Sequence, residues 1–172
     1  IHDRKRNWWE VVKMEKKVAI VTGGVSGIGK AICQELIARN VFVIIADILE
    51  HEGCLLEAEL NRAAVNAKFV RLNVTDYKNV ESVIKNVYED YHRLDYLFNN
   101  AGIAMYGEIY DMSIDDWKEI VDINLWGVIY GTQIAYPLMK KQGFGHIVNT
   151  SSAAGLGPSP MASAYSTTKH AV

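Results

Sequence analysis

Tyr165 and Lys169 stand four residues apart in the run Tyr165-Ser166-Thr167-Thr168-Lys169. On a helix, positions i and i+4 share a face, so the ammonium would lie beside the phenol. An unperturbed phenol titrates at about 10. A neighbouring cation favours the phenolate and lowers that value, which makes Tyr165 a usable proton donor or acceptor near neutral pH. Ser152 lies upstream in Asn149-Thr150-Ser151-Ser152-Ala153-Ala154-Gly155. Its hydroxyl is a candidate to bond the same substrate oxygen. Taken alone, the Tyr–Lys spacing reads more plainly as a surface pair on a helix.

A second group of residues stands near the start. Lys17–Thr22 is β-branched and runs into Thr22-Gly23-Gly24-Val25-Ser26-Gly27-Ile28-Gly29. Glycines there permit a tight turn and let backbone approach a pyrophosphate, which would meet the free N–H groups of the helix that follows. The spacing is G-x-x-x-G-x-G, not the commoner G-x-G-x-x-G. Asp47 closes the next apolar run, where a carboxylate can accept both ribose hydroxyls of an adenosine. It would also repel a 2′-phosphate, and no Arg or Lys stands at Val25, Ser26 or Ile48 to offset that. The expected cofactor is therefore NAD, with NADP disfavoured. In Asn99-Asn100-Ala101-Gly102 the amides can tie loops together, while Ala101 and Gly102 leave room for a flat ring. Each motif has a plainer alternative: a glycine turn without ligand, a capping Asp, an asparagine-rich turn.

These residues need a scaffold that brings them to one place. Apolar patterning predicts strands at Lys17–Thr22, Val41–Asp47, Lys68–Leu72, Leu94–Asn99 and Gly145–Thr150. Helices are expected over Gly27–Asn40, Glu50–Arg62, Asp76–Tyr91, Ile114–Val121 and Leu125–Lys141, with another from Ser163 onward and Ser113 as an N-cap. Strand–helix alternation with continuously apolar strands argues for an α/β fold: a doubly wound parallel sheet, three layers deep as α/β/α. In such sheets ligands sit beyond the carboxyl ends of the strands. Gly23, Asp47, Asn73, Asn99 and Ser151 all follow or close a strand.

In this order and at these places, the motifs resemble those of the short-chain dehydrogenase/reductase family, from about Lys17 to Val172. The set comprises T-G-x-x-x-G-x-G, N-N-A-G, the Asn of Asp122-Ile123-Asn124-Leu125-Trp126-Gly127, the second Ser of Asn149–Gly155, and Y-x-x-x-K. The resemblance implies a Rossmann-like NAD-binding domain over 14–172. It implies a hydride-transferring enzyme acting on a secondary alcohol or ketone, with Tyr165 as general acid/base. Lys169 would hold the nicotinamide ribose, Ser152 would polarise the substrate oxygen, and Asn124 would hold a relay water. Gly23, Ser26, Gly27, Ile28, Gly29, Asp47, Ile48, Asn73, Val74, Asn100, Ala101, Gly102, Tyr165 and Lys169 would contact the cofactor. Relatives often carry Asp before Val at the third strand's end, where this chain has Asn73-Val74. Many have Gly where Asn40 stands, a position that Asn also fills at left-handed helix ends. The family continues beyond Val172 with further strands and a substrate loop, so the expectation is a fragment whose fold is incomplete at the C-terminal end. Residues 1–13 are expected to be a non-native or disordered extension ahead of Met14. Two other classes stay open: a non-catalytic NAD-sensing regulator, and a sugar-nucleotide epimerase or dehydratase.

The 172 residues are 49% hydrophobic and 22% charged, with net charge −2. That balance fits a globular domain and points to no nucleic-acid partner. No apolar run nears the ~18 residues that would suggest a membrane span. Cys33 and Cys54 form no C-x-x-C pair, and five histidines show no metal-ligand spacing, so reduced thiols, a cytoplasmic setting and no metal are expected. Leu125–Lys141 is apolar on nearly all sides, more than packing on one sheet requires. A homodimer or homotetramer through that helix is expected.

Overall fold

The structure, a computed structural model, describes residues 16–157 and 159–172. The expected extension over 1–13 and the start at Met14 lie outside the described residues. Five strands form one parallel sheet: β1 (Lys17–Thr22), β2 (Val41–Asp47), β3 (Ala67–Arg71), β4 (Tyr96–Asn99) and β5 (His146–Asn149), in the order β3-β2-β1-β4-β5. In register, Thr22 pairs with Ala46, Val21 with Phe98 and Asn99 with Asn149, so the carboxyl ends of the four central and outer strands β2, β1, β4 and β5 align. The order reverses beside β1, and that reversal opens the crevice at the carboxyl edge.

All seven residues of β2 are buried, and β1 is buried from Val18 onward. Alternate side chains serve opposite layers. On one face Val18, Ile20, Ile44 and Leu97 pack with Val80, Ile84 and Val87 of α3 (Tyr77–Tyr91) and with Ile134 and Met139 of α5 (Gly127–Gln142). On the other, Ala19, Val21, Val43 and Ile45 pack with Cys33 and Leu36 of α1 (Gly27–Ala38) and Leu56 of α2 (Glu50–Leu60). This is the three-layer arrangement expected from the apolar patterning.

The helix ends follow local chemistry. The Asp76 carboxylate accepts the N–H groups of Lys78 and Asn79 at the start of α3. Ser113 and Asp116 form a reciprocal capping box at α4 (Ile114–Val121). Asn40, at φ +60, follows the C-terminal end of α1 in the left-handed region, as its side chain allows. Two boundaries differ from expectation in an informative way. Leu94 and Asp95 lie before β4, although the Asp95 N–H still donates to Val18 O at 2.9 Å and its carbonyl accepts His146 N–H at 2.8 Å. And the two helices expected around Asp122–Trp126 are joined by a π-helical segment over those five residues. At the sheet's β5 edge, Val148 is 40% exposed.

Asp95 is 5% exposed and accepts the Val18 N–H at 2.8 Å together with a two-pronged contact from Arg93, at 2.8 and 2.6 Å. It fastens the start of β1 to the start of β4. Asp95→Ala orphans a buried N–H and a guanidinium, and should lower the urea-unfolding free energy by about 2–3 kcal/mol; an unchanged midpoint and slope would contradict this role. Burial pushes the Cys33 thiol up to about 12, and its Sγ lies 3.7 Å from Gly24 O. A disulfide reagent at neutral pH should therefore titrate Cys54 in the folded protein and Cys33 only after unfolding. Equal reactivity of both thiols would show that the α1 packing is wrong.

Candidate active site

The carboxyl ends of β1 and β4 are joined by one hydroxyl. Thr22 Oγ1 accepts the N–H groups of Asn100 and Ala101 at 2.9 and 3.0 Å, and donates to Phe98 O at 3.2 Å. The Asn100 amide donates to Thr22 O at 3.1 Å, and its Oδ1 accepts the Thr150 hydroxyl at 3.3 Å. Asn99 extends the tie sideways, donating to Asn149 Oδ1 at 2.9 Å and to Thr132 Oγ1 at 3.2 Å. The asparagines therefore bind loops together, as expected of them.

Above this joint the glycine turn lies against Asn100 and Ala101. Gly23, at φ +63, comes so close that a Cβ there would stand 2.9 Å from Ala101 Cα. A side chain at Gly29 would run into the Gly23 carbonyl. The first intrahelical bond of α1 runs from Lys30 N–H to Ser26 O. The N–H groups of Gly27, Ile28 and Gly29 thus come before the helix's own hydrogen bonding and are available to a phosphate. Gly27 faces open space. Asp47, 9% exposed, holds this loop with one oxygen and its own strand exit with the other: Oδ2 accepts Val25 N–H and Oδ1 accepts Leu49 N–H, each at 3.2 Å. Glycine backbone without side chains, free helix N–H groups and a carboxylate one strand away match the shape and chemistry a dinucleotide requires.

A cleft of about 930 Å³ runs along this edge. Its wall includes Gly23, Ser26, Gly27, Ile28, Gly29, Asp47, Ile48, Asn73, Val74, Asn100, Ala101, Gly102, Ser152, Tyr165 and Lys169. Asn124 stands outside that wall, fully buried behind it in the π-helical segment. Its Oδ1 accepts Ile103 N–H at 2.8 Å, and its amide donates to Ile103 O at 2.9 Å and Thr168 Oγ1 at 3.2 Å. It so clamps the loop after β4 onto α6 (Ser163–Ala171). π segments inside helices often mark functional positions, and here the segment carries Asn124 inward. Asn73 occupies its side chain locally, Oδ1 accepting from the Thr75 N–H and hydroxyl at 3.0 and 2.9 Å.

Lys169, 5% exposed, donates from Nζ to Thr150 O at 2.7 Å. Burial holds its ammonium below the usual lysine range. The same Nζ lies 5.9 Å from the centre of the Tyr165 ring. A Cβ at Gly102 would sit 3.1 Å from Asn124 Oδ1 and 3.6 Å from Lys169 Nζ, so the glycine lets both polar groups approach the backbone there. Ser152 Oγ accepts Ala154 N–H at 3.2 Å in the turn that opens the loop after β5. Thr150 was not singled out by sequence: its contribution to Lys169 is a backbone carbonyl, which no side-chain pattern reveals. Thr22 could have been found, since it heads the glycine run.

A family model described as short chain dehydrogenase matches residues 17–172. The trans-4-hydroxycyclohexanecarboxylate dehydrogenase of Sinomonas cyclohexanicum is 38% identical over 167 residues, covering 93% of this chain and 64% of that protein. The L-2,3-butanediol dehydrogenase of Corynebacterium glutamicum is 38% identical over 159 residues, covering 91% of this chain and 62% of its own length. The chain thus spans a little under two thirds of these relatives. A solved short chain dehydrogenase/reductase from Burkholderia phymatum in complex with NAD superposes with TM-score 0.88 at 31% identity, covering 92% of this chain and 57% of that one. NAD+-bound xylitol dehydrogenase gives 0.86 at 31%, covering 90% and 60%. With the glycine turn, the Asn100 joint and the Tyr165–Lys169 pair all in one cleft, and a family match over every strand of the sheet, the chain belongs to the short-chain dehydrogenase family.

Proposed function

We propose that the protein is an NAD-dependent oxidoreductase that interconverts a secondary alcohol and the corresponding ketone, with Tyr165 as its general acid and base. The observation that carries this reading is the meeting of Tyr165, Lys169 and Ser152 with Gly23–Gly29 and Asp47 in a single cleft. The NAD held by two solved relatives supports it. So do the names of the curated relatives, which are dehydrogenases of hydroxylated small molecules.

In this reading the N–H groups of Gly27, Ile28 and Gly29 hold the pyrophosphate, with Ser26 beside them. Asp47 takes the adenosine ribose, and Ile48, Asn73 and Val74 flank the adenine. Ala101 and Gly102 pass beneath the nicotinamide end, where Lys169 bonds the ribose. When bound, the dinucleotide supplies the hydride chemistry. Tyr165 donates a proton to the carbonyl oxygen in reduction and accepts it from the alcohol in oxidation. Ser152 bonds that same oxygen and orients it. Lys169 keeps a positive charge near the Tyr165 ring while Thr150 O fixes its position. Beside Asn124 and Lys169, which both approach Gly102, we place a water that returns protons from solvent.

The cofactor choice rests on charge. Lys169 is the one basic residue in the cleft wall among the described residues, and it lies at the Tyr165 end. A 2′-phosphate beside Asp47 would meet its carboxylate, and among the described residues no cation lines that end of the cleft. We also assign the assembly of two or four copies to α5 and the segment before it, where Trp126 and Tyr136 are 43% and 59% exposed.

Two variants test this. Tyr165→Phe should lower kcat by at least ~10²-fold, the range typical of a lost general acid–base, while calorimetry still detects NAD binding. Turnover at the wild-type rate would remove Tyr165 from its role. Asp47→Asn keeps an acceptor for Val25 N–H but deletes the charge. It should shift the preference between NAD and NADP about ten-fold toward NADP, equivalent to about 1.4 kcal/mol. A preference for NADP already present in the unsubstituted protein would overturn the cofactor assignment.

A further inference from the structure

The cleft wall reaches Ala104 on the loop after β4 and Ser152 on the loop after β5. Farther along the chain the two loops meet, where Gly107 N–H donates to Met161 O at 2.8 Å. Met161 adopts φ +58 at that junction, a backbone conformation that costs a non-glycine residue energy. Just before the junction, the Tyr106 ring lies 6.3 Å from the Tyr165 ring at a tilt of 41°. The two neighbours of the Tyr165 ring differ sharply in burial: Lys169 is 5% exposed and Tyr106 69%. Tyr106 therefore stands on the solvent side, where a substrate must enter. On the loop it is latched to, Leu156 and Met161 are also open to solvent. Exposed apolar side chains gain by being covered. The charge around them is one-sided. Residues 103–112 carry Glu108 and Asp111 and no basic residue, and residues 151–164 carry no charged residue.

We propose that Tyr106 is a specificity-determining residue. With the loop latched to it at Met161, it forms an apolar wall beside Tyr165 that selects uncharged cyclic secondary alcohols and ketones and turns away anionic ones. The proposal rests on the reading of Tyr165 as the proton-exchanging group. A ring bearing the reacting oxygen covers the Tyr106 face while the oxygen meets Tyr165. A short acyclic alcohol reaches Tyr165 without covering that face. A carboxylate on the substrate would find no cation on either loop, and the loop after β4 carries the like charges of Glu108 and Asp111.

Steady-state NADH formation with cyclohexanol, butan-2-ol and trans-4-hydroxycyclohexanecarboxylate tests this in the unsubstituted protein and in Tyr106→Ala, with cyclohexanol binding followed in parallel by saturation-transfer NMR. Tyr106 is exposed, so its removal leaves the core intact; Leu156→Ser serves as a second variant. In Tyr106→Ala, KM for cyclohexanol should rise about ten-fold, equivalent to about 1.4 kcal/mol, and KM for butan-2-ol by less than about two-fold. The carboxylate should be the poorest substrate of the unsubstituted protein. Equal changes for both alcohols, or a preference for the carboxylate, would overturn the wall. If no alcohol is turned over, yet cyclohexanol binds and is lost in Tyr106→Ala, the wall stands and the oxidoreductase reading falls; absence of both turnover and binding overturns both.

Discussion

The Thr22 hydroxyl accepts two backbone N–H groups from the loop after β4 and gives its proton to Phe98 O. Through it, the turn that carries the glycines and the loop that carries Asn100 and Ala101 are held at a fixed spacing. That spacing is also a limit. Gly23 already touches Ala101 so closely that a Cβ would collide, and Gly29 leaves no room beside the Gly23 carbonyl. From Asn100 the constraint passes to Thr150, and from the Thr150 carbonyl to Lys169. The two ends of the cleft, the α1 N-terminus and the Tyr165–Lys169 pair, are connected through three hydrogen-bonding residues, Thr22, Asn100 and Thr150, rather than by independent loops. An error at Thr22 would reach both ends.

The buried sheet beneath makes such a joint stable. Strands covered on both faces cannot slide without moving every apolar side chain to the wrong layer, so the register that aligns Thr22, Ala46 and Asn99 is strongly specified. The site nevertheless keeps costly features within that frame. Asn99 Oδ1 is buried without a partner among the described residues, in the space Gly131 leaves for it, and Lys169 is a buried ammonium. Each costs stability that apolar packing would not. Their persistence next to the cleft is consistent with polar groups retained for chemistry rather than for folding.

Much of this was legible in the residues themselves. Val41–Asp47 and Lys17–Thr22 read as strands because continuous β-branched and apolar runs have few other uses, and both boundaries match the structure. The glycine turn and Tyr165–Lys169 were readable because each function demands particular side chains, or their absence, at fixed spacing. What escaped was carried by backbone and by tertiary context. The π-helical segment at Asp122–Trp126 leaves no trace in a 3.6-residue periodicity, so two helices were expected where the helical path is continuous. Thr150 acts on Lys169 through a carbonyl that every residue type possesses. The carboxylate tie of Asp95 to Val18 N–H and Arg93 is a tertiary contact that the apolar pattern around it does not reveal. Tyr106 reads as one apolar loop residue among many, and only the fold brings its ring to Tyr165.

The central claim is that one cleft holds a dinucleotide with its phosphates on the α1 N-terminus and its reacting end at Tyr165. A crystal structure of the protein with NAD tests it most directly. The account predicts the pyrophosphate against the N–H groups of Gly27, Ile28 and Gly29, the adenosine ribose hydroxyls on Asp47, and the nicotinamide ribose on Lys169 beside Tyr165. A dinucleotide bound elsewhere, or bound in this cleft with its adenine end at Tyr165, would contradict it.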